Sequence, residues 1–365
     1  LVGGVNIWRS LDKGISWDCV AHWYGEGGLP YVHADIHALE FSPFNSNIVF
    51  AATDGGLFKS TNEGNTWTDI SSGLAITQIY KIGMDPNDGT KFLGGNQDNG
   101  TNRFMNGQWK QVLGGDGMEC ITSGNTMYGS LYYGALYRSN NNGDNFSEIS
   151  YSITSSEEGA WVTPFCLSPT SNTTLYAGYI NVWKSTNSGN SWQKISDFTG
   201  LSQINVLTVA PSNTNYIYIA SGAVINRTTN GGLTWEVISG NLSTGLITSI
   251  AVHPNDPLKI WITSSGYTAG AKVFYSTNAG TSWENISGSL PNVPTNCVTY
   301  EKFSNDALYV GTDIGVFYKN AAMNDWLPFN GGLPNVIINE LEIVYPINKI
   351  RAATYGRGVW EADLY

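Results

Sequence analysis

An eight-residue pattern, Ser/Thr-x-Asp/Asn-x-Gly-x-Ser/Thr-Trp, recurs six times in this 365-residue chain and constrains its fold more than any other feature. Its clearest copy lies in VWKSTNSGNSWQKIS, residues 182–196, which reads as a strand, a tight polar turn and a second strand. The Asn187 carboxamide suits backbone N–H groups two or three residues on, and Gly189 accepts a positive φ at no steric cost. The aromatic that ends the pattern is placed to fold over the hairpin and bury its ring. The other copies end at Trp17, Trp67, Phe146, Trp235 and Trp283, and two degenerate turns end at Trp109 and Trp326.

From Trp17 to Trp326 the aromatic recurs at spacings of 50, 42, 37, 46, 43, 48 and 43 residues. Repeats of that length carrying four strands each indicate propeller blades. Residues 36–70 show the full unit: strand, Pro-marked turn, strand, Gly turn, strand, box, strand. The expected fold is all-β: a β-propeller of seven or eight four-stranded antiparallel blades, the first strand of each innermost, with box hairpins on the rim. Helix should be nearly absent, because no stretch sustains a 3.6-residue apolar period. Residues 1–365 are read as one propeller, with a partial blade and long loop at 1–35, seven repeats over 36–329 and a partial closing blade at 330–365. The last strands are expected to close the ring against Trp17–Val20. Starting at Leu1 in mid-repeat, the sequence reads as a fragment of a longer chain.

The 42 glycines serve turns rather than disorder, since 41% of residues are hydrophobic. A net charge of −11 argues against nucleic acid or anionic membranes as partners, and no apolar run is long enough to span a bilayer. The cysteines, Cys19, Cys120, Cys166 and Cys297, lack metal-ligand spacing; three fall in expected innermost strands, and a Cys120–Cys166 disulfide is one option. Six N-x-Ser/Thr sequons, Asn241 among them, are no more than so Asn- and Thr-rich a sequence contains by chance.

The boxes resemble the Asp-box, or BNR, repeat of sialidases, the sortilin luminal domain and the tandem-propeller xyloglucanases. YVHADIHALEFSP (31–43), GGNQDNGT (94–101), GGDG (114–117) and ATYGRGVW (353–360) look like secreted, sortilin-like proteins of Bacteroidetes type. The resemblance implies a secreted or cell-surface location and flanking parts absent here, an N-terminal propeller half or a C-terminal sorting domain. It does not imply sialidase activity. That chemistry needs an arginine triad and an Arg-Ile-Pro motif; no such motif occurs, and Arg9 and Arg138 directly precede boxes.

Four stretches break the repeat. In the first, His33, Asp35 and His37 project to one face at strand periodicity, a set able to hold a divalent metal ion or to plug the channel end by mutual hydrogen bonds. The others carry Asp98, Asp116 and Arg357 on glycine-rich loops, and equivalent loops of a propeller lie on one face. These six residues are the expected ligand-binding set, with His33, Asp35 and His37 the metal candidates. Trp23, Tyr24, Tyr132 and Tyr133 are candidate stacking platforms for sugar rings. The favoured reading is a non-catalytic module binding an extracellular protein or polysaccharide. The alternative is a glycoside hydrolase using paired aspartates, for which Asp54 and Asp313 are the nearest equivalents.

Overall fold

The computed structural model describes residues 1–240 and 242–365, so the sequon at Asn241 lies outside the described residues. The described residues form seven four-stranded and two three-stranded antiparallel sheets, with one short α-helix, Tyr151–Thr154. The chain divides into two compact units, Leu1–Ile76 and Thr77–Tyr365. Unit 1 contains a three-stranded sheet (Val2–Gly3, Ile7–Arg9, Asp18–Ala21) and a four-stranded one (Ile36–Ser42, Asn45–Thr53, Gly56–Ser60, Thr68–Asp69).

Unit 2 contains seven consecutive sheets, numbered here by their first strands: Ile79–Asp85, Cys120–Ser123, Phe165–Ser168, Val206–Val209, Ile247–Val252, Thr295–Tyr300 and Ile338–Val344. Within each, strands lie side by side in chain order, as expected for blades. The seventh sheet has three strands, the others four. Unit 2 closes on itself: Glu340 accepts the Ile82 N–H at 2.6 Å, Glu342 accepts the Met84 N–H at 3.0 Å, and the Asn339 amide donates to the Ile79 carbonyl at 2.7 Å. The expected closure by Trp17–Val20 is therefore not formed. Val359–Asp363 and Asp18–Ala21 belong to separate sheets, and side chains of the seventh sheet seal the ring against the first.

Each box is built as its residue types require. Ser185 Oγ accepts the Gly189 N–H at 2.8 Å, and Asn187 Oδ1 accepts the Ser191 N–H at 2.9 Å. The same pair of bonds recurs in the boxes beginning at Ser10, Ser60, Ser139, Thr228 and Ser276. In unit 2 three boxes and the degenerate turn ending at Trp326 also fasten their sheets to the preceding ones. Trp192 Nε1 donates to the Ile149 carbonyl at 2.7 Å, and Trp235, Trp283 and Trp326 do the same to Ile195, Ile238 and Ile286. Gly189 is needed twice over: its φ is +88°, and a Cβ there would come 2.4 Å from Ile149 Cδ1. Arginines add a second tie, from a third strand to the next box: Arg138 donates to the Ser188 carbonyl at 2.6 Å, Arg103 to that of Asn142 and Arg227 to that of Ala279.

Trp192 is half-buried and packs against the core cluster that includes Leu136, Leu175 and Ala177. Trp192→Ala should cost about 3 kcal/mol, from lost burial and from a carbonyl left without its donor. Urea denaturation followed by circular dichroism measures this; an unchanged midpoint would mean that the indole does not join the two sheets.

Candidate functional site

The first strands of unit 2 enclose an axial channel of 720 Å³ to which all seven sheets contribute residues, among them Lys81, Glu119, Phe165, Val206, Thr248, Asn296 and Glu340. Its wall is tied by polar side chains that reach from one first strand to the next. Asn205 donates to the Ile247 carbonyl, Thr248 to that of Thr295 and Asn339 to that of Ile79. Thr248 and Asn339 stand at β-bulges, where the extra residue leaves the ladder and turns its side chain to the neighbouring sheet.

Inside the channel one lysine faces three glutamates. Lys81 Nζ lies 3.3 Å from Glu340 Oε1 and 3.9 Å from Glu119 Oε2. Burial lifts the Glu119 carboxyl to about 8; Lys81 opposes the rise and Glu340 adds to it. Burial, reinforced by Glu340, likewise raises Glu342 well above the usual carboxylate range. Burial also raises the Cys166 and Cys297 thiols to about 12 and Cys120 higher than its ordinary value, so these are inert thiols. All four cysteines are unpaired, and the Cys120–Cys166 disulfide is not formed; Cys120 Sγ donates to the Met118 carbonyl instead.

At one end of the channel the predicted loops of unit 2 converge. Asp116 Oδ1 accepts the Asp98 N–H at 2.6 Å, with Asp98 held at a φ of 58°. Gln97 Oε1 accepts hydrogen bonds from both Tyr80 and Tyr355, joining the 97–99 turn to the 355–358 turn. Burial pushes the Tyr80 phenol up to about 12, against a hydrogen bond to Trp161, while Tyr355 and Asp116 add to the rise. Arg357 is exposed on its turn and donates to the Gly356 carbonyl. Tyr80 thus marks a mouth shared by Gln97, Asp116, Trp161 and Tyr355. Beside it Tyr132 stacks on Trp161, ring centroids 5.5 Å apart and planes 10° apart, while Tyr133 meets Trp161 edge-on. These three rings are 45%, 41% and 45% exposed in the order Tyr132, Trp161, Tyr133.

The expected metal set in unit 1 does not assemble. The strand begins at Ile36, and Asp35 has a φ of 59°, so strand alternation does not extend back to His33. His37 Nε2 instead meets Asp54 Oδ1 at 2.6 Å, and His33 Nδ1 meets the Ala34 carbonyl at 3.2 Å. Among the described residues no three His, Cys, Asp or Glu side chains are grouped to hold a metal ion. Asp313, the other proposed acid, accepts from the Asn296 amide at 3.0 Å within unit 2. Trp23 and Tyr24 lie against one another in unit 1, centroids 3.6 Å apart and planes tilted by 32°. Lys81, Glu119, Glu340, Glu342 and Trp161 were not foreseen. The signal was present for Lys81, Glu340 and Glu342, charges inside the innermost strands IYKIGMD and INELEIV, while Glu119 stands one residue before its strand.

The family model described as "Sortilin, neurotensin receptor 3" matches residues 180–315. Over those residues the chain is similar to the sortilin family, and its fold is an Asp-box β-propeller. No curated protein matches its sequence. Among solved structures the propeller is similar to the GH74 xyloglucanase from Xanthomonas campestris, with a TM-score of 0.64 and 15% identity; the match covers 99% of this chain and 55% of that one. It is also similar to YCF48 from Cyanidioschyzon merolae (TM-score 0.61, 11% identity, 79% of this chain and 96% of that one). YCF48 bound to D1 peptide gives a TM-score of 0.61 and 14% identity, over 80% and 95% of the two chains. The chain thus spans little more than half of the xyloglucanase and nearly all of YCF48, and at these identities the likeness is one of fold. Among the described residues no helix is long and apolar enough to cross a membrane.

The raised Glu119 gives stability a definite pH dependence. The unfolded carboxyl ionises near 4.5 while the folded one keeps its proton to about 8, so stability contributed at low pH is lost as pH rises between those values. Glu119→Gln should therefore stabilise the propeller by about 2 kcal/mol at pH 7 and by far less at pH 4. Urea unfolding at the two pH values tests this, and an equal effect at both would mean that Glu119 is ionised throughout.

Proposed function

We propose that this protein is a secreted or cell-surface propeller that binds neutral polysaccharide at the channel mouth of unit 2 and catalyses nothing. The observation that carries this reading is the exposed trio Tyr132, Trp161 and Tyr133 at a mouth bearing the carboxylates Asp98 and Asp116. Aromatic faces suit the apolar C–H faces of sugar rings, and carboxylates and Gln97 suit their hydroxyls. A net charge of −11 disfavours an anionic glycan. The likeness to a xyloglucanase makes xyloglucan the first polymer to try.

The hydrolase alternative would use Asp54 and Asp313, which are engaged by His37 and Asn296, each within its own unit. Affinity electrophoresis in gels containing xyloglucan or mixed-linkage β-glucan tests the proposal. Wild type should be retarded, and Trp161→Ala should weaken the retardation about tenfold with little change in melting temperature. Equal retardation of the variant, or none of wild type in either gel, overturns the site. Release of reducing ends by wild type overturns the non-catalytic reading. Retention on a peptide array with no glycan bound would make the ligand a protein.

A further inference from the structure

The channel of unit 2 and its mouth are one continuous space. Residues 161–165 run from the mouth inward: Trp161 stacks on Tyr132, Val162 and Pro164 line the channel, and Phe165 opens a first strand. Tyr80 and Tyr355, which share Gln97 as their acceptor, line the channel too. An aromatic surface thus leads from the exposed trio down to the ring of first strands. Below it the space continues along those strands, reaching Ile121, Leu167, Thr208 and Glu342. Its 720 Å³ falls within the range of about 300–1,000 Å³ that encloses small organic ligands.

The lining suits a sugar ring, which has hydroxyls at its edge and C–H groups on its faces. The Lys81 ammonium carries three N–H groups and gives one to Glu340 at 3.3 Å. Glu119 holds its proton up to about 8, so at neutral pH its carboxyl donates as well as accepts. Apolar Phe165, Val206 and Ile250 share the wall with them.

Topology then governs how a polymer can use this space. The first strands stand around the axis, and side chains tie neighbour to neighbour: Asn205 to Ile247, Thr248 to Thr295, Thr299 to Leu341 and Asn339 to Ile79. A space walled in this way is entered along its axis. The interior of a polysaccharide chain, with sugars attached on both sides, can lie across the mouth but cannot pass inward without doubling back. A free end can.

We propose that the propeller holds its polysaccharide by a free end of the backbone: the terminal sugars enter the channel toward Lys81, Glu119 and Glu340, and the sugars that follow leave over Tyr132 and Trp161. This rests on the polysaccharide reading above and narrows it from a polymer surface to a chain terminus. Binding then counts ends and is indifferent to length.

Xyloglucan and mixed-linkage β-glucan, each broken by sonication into a series of chain lengths, are titrated into the full chain by calorimetry. One protein per chain is expected at every length, so that protein bound per gram of polymer rises in proportion to the reducing ends counted in each sample. A constant amount of protein per gram across the series overturns binding by the end and leaves the mouth a polysaccharide site. Binding of neither polymer at any length overturns both readings. Thr208→Trp fills the channel below the mouth and leaves the aromatic trio untouched; it should weaken binding about tenfold. Circular dichroism and a melting curve show whether it folds, and Ser249→Phe, at another lining residue, serves in its place if it does not. A folded, channel-filled variant that binds as tightly as wild type overturns the proposal.

Discussion

The fold rests on one bond type repeated around unit 2: an indole N–H donated from a box to the carbonyl just after the fourth strand of the preceding sheet. A four-stranded sheet of this size has two apolar faces and little else, and alone it would be marginal. The indole supplies apolar area between two sheets and satisfies a carbonyl that the short fourth strand leaves behind. Box geometry makes that placement reproducible. Ser185 and Asn187 hold the turn, Gly189 allows the closest approach to Ile149, and Trp192 is aimed as a consequence. Stability is then shared between neighbours, as in other repeat architectures, and ring closure lets the first sheet be supported by the last. At that junction the device changes: Glu340, Glu342 and Asn339 replace an indole with charged and amide side chains bonded to backbone groups of the first strand.

The rim was legible because its residues are chosen by local rules. Ser, Asn, Gly and Trp at fixed offsets describe a turn whatever surrounds it, and every box bond follows from those offsets. The convergence of Asp98 and Asp116 was legible for a related reason, since equivalent loops of a repeat must share a face. His33, Asp35 and His37 misled for a physical reason. Alternation holds only in extended backbone, and a left-handed Asp35 one residue before the strand breaks it. His37 then stands next to a bulge, where its partner is set by the adjacent turn and proves to be Asp54.

The channel charges were harder to read because their meaning is tertiary. Lys81 sits in a strand that otherwise reads as core, and nothing nearby in sequence explains it. Its partners, Glu119 and Glu340, come from the two sheets on either side, the second almost the whole chain away. Trp161 gave still less signal: it lies outside any box, and only the fold brings it over Tyr132.

Rim and channel therefore divide the work. Residues that repeat are committed to joining sheets: Arg103, Arg138 and Arg227 each end on the next box, and Trp192, Trp235, Trp283 and Trp326 each end on a carbonyl. Such a residue cannot turn to a ligand without loosening two sheets at once. Recognition is left to positions released from that duty, and in unit 2 the mouth supplies them, where loops outside the boxes carry Trp161, Tyr132, Asp98 and Asp116. In a ring held by repeated joints, a binding site arises where a loop is not needed to make one.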